Sequence, residues 1–84
     1  MIGPSIGEYR LQPQFALVVS LENGSLQVQP TNHPKFPLFA EARDKFFLQA
    51  VDAQIEFRRD STGAVTGLTL FQNGNALPGT RVRR

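Results

Sequence analysis

The chain has 84 residues, a net charge of +2 and no cysteine, and its 40% apolar residues include seven Phe and no Trp. That suits one small core, is too apolar for a disordered tail, and excludes disulfides and thiolate metal sites as sources of stability. No apolar run approaches the roughly 18–20 residues of a spanning helix, and so mild a charge falls short of the dense basic footprint of a nucleic-acid binder.

Residues 1–5, with Gly3-Pro4, read as a loose lead-in, and residues 6–84 as a single domain. No basic segment followed by an apolar one opens the chain, so a signal peptide is not expected and the default location is cytoplasmic. A domain excised from a longer exported protein would leave its signal on the parent.

Residues 6–11 predict a first strand with Tyr9 and Leu11 on one face, ended by Gln12-Pro13-Gln14. In residues 15–30, Phe15, Leu17, Val19 and Leu21 alternate, Asn23-Gly24 intervenes, and Leu26 and Val28 alternate again. Successive strand side chains point to opposite faces. Asn-Gly accepts the positive φ of a tight turn, so this is a hairpin. Thr31-Asn32-His33-Pro34 is a loop by its turn residues. Residues 35–41 predict a strand with Phe36, Leu38 and Ala40 on one face. Pro37 cannot donate to a ladder, which places that strand at an edge. Residues 45–51 predict another strand. A helix over 41–50 is the alternative, and Phe46-Phe47 favours strand.

Residues 53–60 alternate cleanly, with Ala53, Ile55 and Phe57 on one face, and Asp60-Ser61-Thr62-Gly63 is a turn. Residues 64–73 form a long strand, with Leu68 and Leu70 on one face, Val65 and Phe71 on the other, and a bulge suggested by Gly67. Asn73-Gly74 is a second tight turn. Residues 76–83 form the last strand, in which Pro78-Gly79 suits an edge or a bulge. About eight short strands joined by short connections predict an all-β, antiparallel up-and-down meander. Such a meander removes its open edges by closing into a small barrel.

The order of Gly7-Glu8-Tyr9-Arg10-Leu11, Asn23-Gly24, Phe46-Phe47, Val51-Asp52-Ala53, Ile55-x-Phe57, Asp60-x-x-Gly63-x-Val65-x-Gly67-Leu68 and Gln72-Asn73-Gly74 carries a resemblance over residues 6–81. It resembles the small C-terminal accessory domain, long known only as a domain of unknown function, of serine hydrolases of the β-lactamase and penicillin-binding-protein class. The resemblance implies a lipocalin-like barrel that assembles subunits or shapes access to a neighbouring catalytic domain. The Ser-x-x-Lys nucleophile motif of those hydrolases is absent, because Ser5, Ser20, Ser25 and Ser61 are followed three positions later by Glu8, Asn23, Val28 and Ala64. Hydrolase activity therefore does not carry over.

Other chemistry finds little support. His33 is the only histidine and reads as a solvated loop residue, since a metal site or a nucleophilic dyad needs further partners. Glu22, Glu41, Asp44 and Asp52 read as solvated charges, and no Gly-rich loop precedes a helix to cradle a phosphate. Arg58-Arg59 and Arg81, Arg83 and Arg84 read as edge protection and a solubilising tail, because no aromatic residues interleave with them for base stacking. No enzyme and no cofactor are expected.

Two apolar sets remain. The inward set is Tyr9, Phe15, Leu17, Val19, Leu21, Leu26, Val28, Phe36, Leu38, Phe46, Leu48, Ile55, Phe57, Leu68 and Leu70. These are large, so a filled interior is favoured over a large void. Any ligand cavity would be lined by Tyr9, Phe15, Phe36, Phe46 and Phe57. The opposite set, Ala16, Val18, Phe39, Phe47, Val51, Val65 and Phe71, would face out, where a solvated face is mostly polar. An interface through Phe39, Phe47, Val51, Val65 and Phe71 is the leading expectation, in a homodimer or against a hydrolase-type partner. The alternative is a small lipocalin-like barrel that binds an apolar ligand.

Overall fold

The structure, a computed structural model, describes residues 6–49 and 51–82. The predicted lead-in at 1–5, Ala50, and Arg83 and Arg84 of the tail lie outside them. Nine strands follow in chain order: β1 Gly7–Gln12, β2 Phe15–Glu22, β3 Ser25–Pro30, β4 Phe36–Pro37, β5 Phe39–Ala42, β6 Lys45–Leu48, β7 Ala53–Arg59, β8 Val65–Gln72 and β9 Asn75–Arg81. They form one sheet in the order β4-β3-β2-β1-β9-β8-β7-β6-β5, with every pairing antiparallel. The predicted meander is therefore present. Among the described residues 41–49 there is no helix; β5 and β6 turn at Arg43-Asp44 instead.

The two ends of this sheet, β4 and β5, are consecutive in the chain and separated only by Leu38. Antiparallel pairing of every neighbour gives β4 and β5 the same direction. They are one kinked pass that changes partner, from β3 before Leu38 to β6 after it. Nine paired segments thus make eight passes, and the sheet curls into a near-closed barrel with a lipocalin-like plan. Pro37, with no N–H to donate, sits where only one side is paired. The Leu38 amide donates to Leu26 O at 2.9 Å, tying the kink to β3.

The hairpin turns have the predicted chemistry. Asn23 and Gly24 have φ of 53° and 80°, and Asn73 and Gly74 have 54° and 77°. Two successive positive φ values define the primed turn whose twist matches that of its strands. At the β7–β8 turn, Asp60 Oδ1 accepts from Thr62 N, Thr62 Oγ1 and Ala64 N. Those bonds favour the charged carboxylate and hold its pKa below the ordinary value.

Inside the barrel, Tyr9, Leu17, Val19, Val28, Ile55 and Leu68 are essentially sealed from solvent. Three expectations need correction. Val65 belongs to the core, at 4% exposure, and not to the outer face. Arg58 pairs with Gly67 while Arg59 pairs with Val65, so Thr66 is an extra residue in β8. One extra residue reverses the in–out alternation behind it. Leu21, expected inside, is 45% exposed, although its cross-strand partner Leu26 is only 3% exposed. It lies beside the Asn23-Gly24 tip, and the crossing at Leu38 ties to the Leu26 side of the hairpin. Finally, Pro78 does not lie in an edge strand, because β9 pairs with both β8 and β1. The pairing to β1 covers only Thr80 and Arg81, so the β1-facing side of Pro78 has no ladder to disrupt.

Candidate functional site

In a meander, successive connections alternate between the two ends of the barrel. The 31–35 loop, the β6–β7 connection and the Asn73-Gly74 turn therefore share one rim. The opposite end carries the Asn23-Gly24, Arg43-Asp44 and 60–64 turns.

An apolar cavity of about 140 Å³ opens at the first of these rims. Leu17 of β2, Val28 of β3 and Phe36 of β4 line it from one half of the sheet. Leu48 of β6, Ile55 of β7 and Leu70 of β8 line it from the other. The cavity exists because curling brings those two halves face to face. Phe15, Pro30, Val51 and Ala53 complete the apolar wall, and His33 and Gln72 supply the polar side chains. The 31–35 loop is pinned at this rim. Thr31 N donates to Ala16 O, Ala16 N donates to Thr31 Oγ1, and Gln29 Nε2 donates to His33 O, all at 3.0–3.2 Å.

Of the five aromatics expected to line a cavity, Phe15 and Phe36 do so. Tyr9, Phe46 and Phe57 do not, because they fill the barrel against one another. Phe57 meets Tyr9 edge to face at 5.8 Å and Phe46 at 5.7 Å, the packing that aromatic quadrupoles favour. Tyr9 is completely buried, which pushes its phenol pKa up, and the guanidinium charges of Arg81 and Arg59 oppose that push. The interior is thus filled over most of its length and void at one mouth.

His33, expected to be a solvated loop residue, is exposed yet lines this mouth. Counting strand passes would have placed it there, since its loop shares an end with the start of β2 and the β6–β7 connection.

The outer face carries Phe39, Phe47 and Phe71, each half-buried. Phe39 pairs with Phe47 across β5 and β6, with ring centroids 5.6 Å apart. Phe47 pairs with Gln54, and Gln54 pairs with Phe71. The three aromatics therefore lie in one row across the strands. Val51, also expected at the interface, lies at the rim and lines the cavity mouth.

The arginines have structural work. Arg58 donates to Leu68 O and Gly79 O at 2.8 and 2.7 Å. Arg59 Nε donates to both Asp44 carboxylate oxygens at 2.9 and 3.0 Å. Arg81 donates to Val65 O and Ile6 O at 3.2 and 2.5 Å. Among the described residues no group of His, Asp and Glu is arranged to hold a metal ion, and no helix is long and apolar enough to cross a membrane.

Residues 6–81 match the family described as a domain of unknown function (DUF3471). The chain belongs to that family. No curated protein and no solved structure matches it. In this DUF3471 domain, then, the geometry of the mouth and of the outer row is the ground for any functional reading.

Proposed function

We propose that this DUF3471 domain works without catalysis and binds a small apolar ligand, or the apolar end of a larger molecule, in the mouth of its barrel. The observation that carries this reading is the cavity of about 140 Å³, walled by Leu17, Val28, Phe36, Ile55 and Leu70 and open at one rim. Apolar cavities of about 150 Å³ stay dry and take up benzene. The fitting ligand is therefore a single ring or a short branched chain. A long acyl chain has no room, because Tyr9, Phe46 and Phe57 fill the barrel below. His33 and Gln72 stand where a polar substituent would leave the mouth.

Methyl NMR with benzene and toluene as probes tests this. Saturable shifts are expected at Leu17, Val28, Ile55 and Leu70. Leu70→Phe, which puts a ring into the void, is expected to abolish them. No shift at saturating benzene would sink the reading.

The outer row favours a second reading, a protein interface. Rows of half-buried aromatics are strong contact anchors, and a two-fold pairing needs only one self-complementary surface. Phe39 and Phe47 would centre a homodimer, with Phe71 at its flank. Light scattering coupled to size-exclusion chromatography is expected to give a dimer for the wild type. Phe47→Glu should give a folded monomer, because Phe47 lies outside the core. A wild type that is monomeric at high micromolar concentration would exclude self-association. The row would then face another partner, first among them the serine-hydrolase catalytic domain implied by the resemblance.

A further inference from the structure

The mouth cavity is walled by apolar side chains except at two points, and these two narrow what it can hold. Gln72 is the first. On β8 it continues the inward line of the buried Leu68 and Leu70 by one more step toward the rim. It stands opposite Ala53 on β7, which is also buried, and is itself half-buried. Strand register therefore turns its carboxamide into the mouth, where it forms part of the wall.

His33 is the second, and its backbone is held on both sides. His33 N donates to Pro30 O at 3.0 Å, and His33 O accepts from Gln29 Nε2 at 3.2 Å. Pro34 follows and biases His33 away from helical geometry. The imidazole thus meets the mouth from the β3–β4 connection, and the carboxamide meets it from the end of β8. Each half of the curled sheet contributes one polar group.

Their chemistry selects a head group. No Asp or Glu lines the mouth, so an ammonium finds no counter-charge in its wall. No Lys or Arg lines it either, and Lys35 of the same loop is paired with Glu22. A head group is therefore held by hydrogen bonds from His33 and Gln72. An imidazole N–H and a carboxamide NH₂ both donate, and a carboxylate accepts on two oxygens. Hydrogen bonds to an ionised acceptor are roughly twice as strong as those between neutral groups. At the rim a carboxylate keeps water on its open side, so its charge escapes the cost of full burial. We propose that the mouth takes small carboxylic acids in their ionised form, an inference that rests on the apolar mouth being a binding site. A single ring or short branched chain fills the cavity of about 140 Å³, and the carboxylate accepts from His33 and Gln72.

NMR titrations with toluene, benzoate and benzylamine at neutral pH test this, because the three share a benzene ring and differ in its substituent. Toluene is expected to bind through the ring alone. Benzoate is expected to bind and to shift the Gln72 side-chain NH₂ signals, and benzylamine to bind at least about fivefold more weakly than benzoate. His33→Ala and Gln72→Ala should each weaken benzoate by about fivefold or more and leave toluene within about twofold. His33→Gln, which keeps an N–H donor, should retain most of the benzoate affinity. If Gln72→Ala loses its dispersed spectrum, His33→Ala at an exposed position carries the test alone. Toluene binding together with unchanged benzoate affinity in His33→Ala would overturn the carboxylate inference and leave the apolar mouth standing. So would benzylamine binding as tightly as benzoate. Binding of neither toluene nor benzoate would remove the mouth itself as a site, and this inference with it.

Discussion

Gly67→Val is expected to destabilise the domain by about 3 kcal/mol, at the upper end of what overpacking costs. A Cβ at this position would fall well inside van der Waals distance of Arg58 Nη2 and of the Gly79 carbonyl oxygen. The guanidinium can move, but the carbonyl belongs to the neighbouring strand and can shift only if the β8–β9 ladder does. Arg58 is also held in place, since it donates to Leu68 O, Thr69 Oγ1 and Gly79 O across this spot. A small domain shifts its Tm by roughly 4–8 °C per kcal/mol, so thermal unfolding should fall by about 12–24 °C. Adding Arg58→Ala to Gly67→Val should recover only part of that loss, because the carbonyl remains. Full recovery would place the whole obstruction in the arginine. An unchanged Tm in Gly67→Val would remove the close approach of β8 and β9 as a feature of the fold.

The same region marks where the sequence becomes hard to read. Gly67 signals a bulge in β8, but a bulge signal does not say which residue is the extra one. That residue is Thr66, and its insertion moves Val65 from the outer face into the core. Ladders without such insertions are legible from alternation alone. On β7, Ala53, Ile55 and Phe57 are all buried, and the intervening Gln54 and Glu56 face out. The turns are legible for a similar reason, since Asn-Gly names its own backbone conformation at positions 23–24 and 73–74.

Closure is a long-range property. Residues 35–41 carry one strand's pattern, and nothing local announces that Leu38 divides it between two partners at opposite ends of the sheet. The candidate site suffers from that directly. The mouth is lined by both halves of the curled sheet, so alternation finds inward residues without saying how deep each one lies. Phe15 and Phe36 reach the mouth, whereas Tyr9, Phe46 and Phe57 pack below it, and all five share one inward label. His33 was findable by counting passes, but its chemistry as a lone imidazole gave no reason to look.

The filled part of the barrel makes the other large prediction. Tyr9 is wholly buried, meets Phe57 edge to face, and has the Arg81 guanidinium over its ring at 5.9 Å. Tyr9→Ala is expected to cost about 3–5 kcal/mol, as for other large buried aromatics. A chain of this length has a total stability of roughly 4–13 kcal/mol, so that variant should be partly or fully unfolded at 37 °C. Tyr9→Phe keeps the ring and should cost about 1 kcal/mol, the net worth of a hydrogen-bonded hydroxyl. Among the described residues no buried side-chain polar atom lacks a partner, so a bond is there to lose.

The phenylalanine variant also isolates a dependence on pH. Burial raises the phenol's pKa in the folded state above its ordinary value near 10, against the pull of Arg81 and Arg59. As pH rises, the unfolded chain therefore releases this proton first. Stability from the neutral phenol is full below the unfolded value and is lost as pH climbs through the folded one. Urea unfolding of the wild type should weaken between pH 9 and pH 11 by more than that of Tyr9→Phe, which lacks the phenol. Equal losses in the two proteins would mean that the phenol titrates alike in the folded and unfolded chains. Tyr9 would then contribute to the barrel through its ring alone.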